Sequence, residues 1–239
     1  MASNMENRQY STATTGAGAV IDEGLRAYML RVYNYMASGL LLTGIIAYVT
    51  ASSPAMMNAI YGTPLQWVVM LAPLGFVFFL SARIQKMSFS AAQTTYWIYA
   101  GMMGLALAYI FVVFTGASVA RVFFITAGTF GAMSLYGYTT KRDLTKLGSF
   151  LFMGLIGIII ASVVNIFLQS TMMHFVISVI GVLVFVGLTA YDTQKIKEIY
   201  YEGDSSEVSG KKAIMGALRL YLDFINLFIM LLQLFGDRR

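Results

Sequence analysis

The stretch LGSFLFMGLIGIIIASVVNIFLQSTMMHFVISVIGVLVFVGLTAY, Leu147–Tyr191, contains no Asp, Glu, Lys or Arg. A helix that crosses a bilayer needs roughly 20 mainly apolar residues, so this stretch has room for two. The polar triplet Gln169-Ser170-Thr171 marks the turn between them. Three further runs are equally free of charge: Val32–Ala82, Met87–Ala120 and Val122–Thr140. A soluble domain interleaves charged residues to solvate its surface. Here 11% of residues are charged and 58% hydrophobic, against about 25% charged in an ordinary globular protein. The fold expected is an all-α integral membrane protein.

Turn signals divide the runs into a seven-transmembrane-helix bundle. Ser52-Ser53-Pro54 and Thr63-Pro64 split the first run into helices near Val32–Thr50 and Leu65–Ala82. The third lies near Thr95–Phe114, the fourth near Val122–Tyr138, the fifth near Phe150–Leu168 and the sixth near Phe175–Tyr191. After a polar segment, Asp192–Lys212, comes Ala213–Gly236, which is long enough to cross but contains Arg219, Asp223 and Asn226. Such residues are expensive in hydrocarbon, so this last, polar helix is expected at the centre of the bundle. Residues 1–24 are polar and small, lack the apolar core of a secretory signal, and are expected to be a flexible tail. Residues 25–239 then form the membrane domain.

Of the 16 Lys and Arg residues, alternate crossings place twelve on one side. These are Arg8, Arg26, Arg31, Arg83, Lys86, Lys141, Arg142, Lys146, Lys195, Lys197, Lys211 and Lys212. Three stand on the other side, Arg121, Arg238 and Arg239, and Arg219 lies within the membrane. The excess of basic residues marks the cytoplasmic side, which puts the N-terminus inside and the C-terminus outside. The pair Arg238-Arg239 is the discordant element, and a re-entrant last helix would remove it. Small residues at helical spacing, such as Gly101 and Gly104, Gly128 and Ala132, Ala127 and Gly131, and Gly154 and Gly157, are expected at close helix contacts.

Asp223 lies deep in the last helix, and Asp192 ends the sixth in TAYDTQKIK. Antiparallel return of the last helix lets the two carboxylates meet in one cavity facing the cytoplasm. Two close carboxylates do not both ionise easily, and they titrate as a unit. They form a proton-sensitive site and a weak site for a divalent cation, with no firm metal centre and no cofactor. Plainer roles remain open: Asp192 as a solvated residue at a helix end, and Asp223 paired with Arg219 one turn earlier. Arg83 is a candidate counter-charge for Asp192, or an orientation signal whose side chain snorkels to headgroups. Asn165 either lines the cavity or makes an interhelical hydrogen bond. His174, the only histidine, supports no metal site by itself. Absent cysteine excludes a disulfide framework and thiolate metal sites. Basic residues confined to short loops leave no nucleic-acid face. No GxSxG, HExxH or P-loop pattern is present. An intramembrane aspartyl protease would carry GxGD where this chain reads YLDF, and a retinal protein would need a lysine midway through the last helix. The chain is not expected to be an enzyme.

The strings GLTAYDTQKIK (Gly187–Lys197), ALRLYLDFINLFIMLLQLFG (Ala217–Gly236) and YGYTTKRDLTKLG (Tyr136–Gly148) resemble the Bax inhibitor-1 family, bacterial branch. The resemblance covers essentially all of the chain after the tail. It implies a seven-helix bundle with a central last helix, in the bacterial cytoplasmic membrane, and a pH-sensitive calcium leak. Asp192 and Asp223 match the family's di-aspartyl sensor. An arginine of the second helix latches one sensor aspartate in the family's closed form; Arg83 is the nearest equivalent, with Lys86 a second possibility. Membrane lipids, calcium ions and protons are the implied partners, and protein partners are unspecified. Composition and spacing do not identify calcium. A proton-coupled exchanger using the same acids, or a membrane protein that regulates another complex, fits the residues as well.

Overall fold

The computed structural model describes residues 2–239, with side chains from residue 23 onward, and the chain is all-α. Its helices are α1 (Ala2–Ser52), α2 (Pro54–Tyr61), α3 (Leu65–Arg83), α4 (Phe89–Leu107), α5 (Ile110–Val113), α6 (Gly116–Thr139), α7 (Thr145–Leu168), α8 (Thr171–Glu198) and α9 (Ser206–Phe235). A 3₁₀ turn, Ile84–Lys86, prolongs α3. Among the described residues, seven helical segments are long and apolar enough to cross a membrane; α4 and α5 together make the third. The flexible tail expected over residues 1–24 lies outside the described side chains except at its last two positions.

Hydropathy locates the apolar slab, but the helices project beyond it. α8 begins at Thr171, not Phe175, and α9 at Ser206, not Ala213. Side-chain caps set these starts: Ser88, Thr115, Ser170 and Ser205 each accept a hydrogen bond from the backbone N–H three residues on, satisfying a donor that the helix itself leaves free. The polar segment expected over Asp192–Lys212 therefore shrinks to residues 199–205. Asp192 does not end its helix; it sits six residues before Glu198, inside α8.

α9 is the centre of the bundle. Within its most apolar window 67% of residues are buried, against 11% for α7 and 17% for α3. It packs against α8, α1, α6 and α4, whereas α7 leans on α8 and α3 on α4. The helix is unbroken over 30 residues, about 45 Å at 1.5 Å per residue, long enough for a full crossing and without the break that a re-entrant segment would need. Its far end is stitched to the start of α6. Thr115 N–H donates to the Asp237 carbonyl (2.9 Å), Asp237 N–H donates to Ser118 Oγ (3.0 Å), and Arg121 pairs with the Asp237 carboxylate (2.8 Å). The tail is thus anchored, and Arg238 lies over the Phe114 ring. At the opposite end Lys197 Nζ donates to the Tyr138 carbonyl (2.8 Å) and Lys211 Nζ to the Met87 carbonyl (3.2 Å). The basic loops thereby gather at one end of the bundle, the basic end. Tags inserted at the N-terminus and beside Ser205 should report the same membrane face, and a tag after Arg239 the other. A C-terminal tag on the N-terminal face would overturn the seven crossings.

Small residues divide into two groups. Gly104 is at a close α1–α4 approach, where a Cβ would stand 2.8 Å from the Thr43 carbonyl oxygen and from Ile46. Gly137 is tighter: a Cβ there would strike the backbone of Ala190, so α6 and α8 meet main chain to main chain. Gly128, Gly131 and Gly157 face open space instead. Gly137→Ala should cost about 1–3 kcal/mol through overpacking, seen as a fall of several degrees in thermal midpoint. Gly157→Ala is the control and should leave the midpoint unchanged or slightly raised, since alanine favours helix. Equal midpoints for the two variants would show that the α6–α8 contact is not tight.

Candidate functional site

Side chains at 219, 222, 223, 226 and 230 share one stripe of α9 by the 3.6-residue period. All five border a cleft of about 970 Å³ that α7 covers on one side and Leu74 of α3 on the other. Its lining follows α7 from Gly148 to Ile166, about 27 Å at 1.5 Å per residue. The half toward the basic end offers Ser149, Asp192 and Arg219. The far half is mostly apolar, with Ile159, Val163, Ile166 and Met230 around the Ser162 hydroxyl and the Asn226 amide. A hollow of similar size, about 990 Å³, opens at the basic end beside Arg31, Ser88 and Glu207, but neither membrane aspartate borders it.

Asp192 and Asp223 meet in the cleft. Their carboxyl groups are close enough to interact electrostatically. Asp223 is 5% exposed, and no described N–H or O–H serves its Oδ2. Asp192 is more open, with 17% of its side chain exposed, and its Oδ1 lies 3.9 Å from Arg219 Nη1. Arg219 therefore faces Asp192 of α8, not Asp223 of its own helix. The reason is geometric: side chains on a helix lean toward its N-terminus, so a long side chain at 219 reaches away from 223 and toward the passing turn of α8. Asn226 borders the cleft one turn beyond Asp223, its amide donating to the Leu222 carbonyl at 2.8 Å.

Other residues singled out from the sequence stand elsewhere. Arg83 is exposed at the end of α3, with no acidic partner within 4 Å among the described residues, and Lys86 is exposed beside it. Asn165 does not border the cleft. Its side-chain oxygen accepts from Ser170 N–H (3.0 Å) and secures the α7–α8 turn, where Gln169 adopts the left-handed conformation with φ 51°. His174 falls in the first turn of α8. Among the described residues no third Asp, Glu, His or Cys joins the two aspartates in a cluster able to hold a metal.

A bundle with seven crossings, closed around a last helix that carries an acidic centre within the membrane, defines a polytopic membrane protein with a buried dicarboxylate site. The chain belongs to the Bax inhibitor-1 family: the family model described as inhibitor of apoptosis-promoting Bax1 matches residues 25–239. It is 51% identical over 226 residues to protein RP147 of Rickettsia prowazekii, covering 95% of this chain and 96% of that one. It is 50% identical over 219 residues to inner membrane protein YbhL of Escherichia coli, covering 90% and 94%. A Caulobacter vibrioides protein is 44% identical over 245 residues, with 98% of each chain covered.

Proposed function

We propose that the chain is a calcium leak channel of the bacterial inner membrane, gated by protonation of the Asp192–Asp223 pair. One observation carries this reading: two carboxyl groups and one guanidinium meet partway along a cleft whose lining spans nearly the thickness of a bilayer core. An uncompensated charge at this depth is costly. Two aspartates and one arginine leave a single negative charge, and one proton on the carboxyl pair closes the balance. That proton also supplies the donor that two ionised carboxylates would lack.

The site is poor for tight metal binding, and that suits conduction. Calcium takes 6–8 oxygen ligands, and the cleft offers two carboxyls, the Asn226 amide and the Ser149 and Ser162 hydroxyls. An ion held weakly can leave again. The apolar far half of the cleft resists water and provides the closed barrier. Calcium is the ion attributed to the family, and the inner-membrane location follows the name of YbhL. The basic end is cytoplasmic by the excess of Lys and Arg there.

The sign of the pH response follows from the charges. Lowering pH adds protons to the pair, weakens its hold on Arg219 and frees the cleft, so flux rises. Further protonation removes the charge that attracts the cation, so flux passes through a maximum and falls. Calcium entry into proteoliposomes, read by an internal dye from about pH 8 to about pH 5, tests this. A flat profile would exclude protonation gating. Proton flux in fixed ratio to cation flux would make the protein an exchanger.

A further inference from the structure

We propose that the groove between α1 and α6 binds one acyl chain of an anionic phospholipid, with the lipid phosphate at Arg26. α1 and α6 both pack on α9 and scarcely on each other. The gap between them is a series of hollows that share walls. The hollow at the basic end, about 530 Å³, continues past Tyr33 and Phe130 into one of about 730 Å³ lined by Leu40 and Gly44. Phe224 of α9 is in the floor, braced by Phe130 and Phe123 with ring centroids 5.5 Å away in each case. The lips are apolar residues open to the bilayer, among them Leu41, Ile45 and Leu135.

Two features choose the occupant. Among the described residues the middle of the groove has no free polar group to hold water: the Tyr33 hydroxyl is tied to Ser134 Oγ (2.6 Å), and beyond it the lining is Met36, Ala37, Leu40, Ala127 and Phe130. A cavity of that kind takes hydrocarbon, and in a bilayer the available hydrocarbon is a lipid chain. Positive charge stands at one mouth. Arg26 borders the hollow at the basic end, and Lys197 sits 5.1 Å from the ring centre of Tyr138, which borders the same hollow. At the far end of α6, Arg121 is already paired with Asp237. The phosphate therefore belongs at the Arg26 end, and its chain runs toward Gly44. The open space above Gly131 and Gly44 is the room the chain uses, which explains why small residues there pack against no helix.

The test uses the full chain in phosphatidylcholine vesicles, with spin-labelled phosphatidylglycerol or spin-labelled phosphatidylcholine as probe. Wild type should immobilise the anionic probe roughly fivefold more strongly than the zwitterionic one, the factor one arginine at the surface gives an anionic lipid. Arg26→Gln should bring the two probes to parity. Gly131→Leu and Gly44→Leu start from a Cβ in open space, extend into the groove, and should reduce immobilisation of both probes. Equal binding of the two lipids by wild type, or unchanged binding in both leucine variants, would overturn the proposal. A dimer that Gly131→Leu converts to monomer would also overturn it, because the occupant would then be a second copy of the chain.

Discussion

In Asp223→Asn, acid activation of calcium flux is expected to move to lower pH by roughly a unit or more, or to disappear. The wild-type cleft must hold two acids against one guanidinium at a depth where surplus negative charge is costly, so it accepts a proton readily. The substituted amide presents the same shape without the charge. Asp192 would then stand alone against Arg219, 3.9 Å away, already balanced, and only stronger acid would release the arginine. Asp192→Asn removes the partner that Arg219 faces. Closure weakens, and flux at neutral pH rises with a shallower dependence on pH. The variants thus differ in direction: one is slow to open and the other fails to close. Calcium entry measured for the three proteins across the same pH series separates them. Three superimposed curves would make both aspartates structural and end the gating reading.

What could be read from the chain alone depended on how much of each answer is local. The number of crossings and the central place of the last helix were legible, because both follow from where charge is absent and where it is tolerated: Leu147–Tyr191 has none, and Ala213–Gly236 keeps Arg219 and Asp223. The meeting of Asp192 with Asp223 followed from antiparallel return. The pairing of Arg219 did not, since spacing along one helix suggests Asp223, whereas the lean of the side chain favours a residue on α8. Helix ends were misjudged where caps lay outside the apolar slab, which is why Asp192 was expected at a boundary and lies within α8. The division among glycines was also hidden. Gly137 and Gly131 are less than two turns apart on the same helix, yet one meets the backbone of α8 and the other an open groove.

The second large effect belongs to Arg219. If its guanidinium is the counter-charge that occupies the carboxyl pair in the closed state, Arg219→Gln should raise calcium flux at neutral pH and lessen the further rise on acidification. Two unit charges 4 Å apart attract by about 4 kcal/mol at an effective dielectric of 20. The Arg219 side chain is 56% exposed, however, and screening reduces such a pair to about 1 kcal/mol or less. That corresponds to roughly a fivefold change in flux at fixed pH. Arg219→Lys keeps the charge but loses the planar fork, so it should fall between wild type and Arg219→Gln. Arg83→Ala is the discriminating comparison. Arg83 stands exposed at the end of α3, and its replacement should leave the pH profile in place if Arg219 is the latch. A rise in basal flux confined to Arg83→Ala, with Arg219→Gln behaving as wild type, would reassign the latch. It would also require α3 to move toward Asp192 when the channel closes.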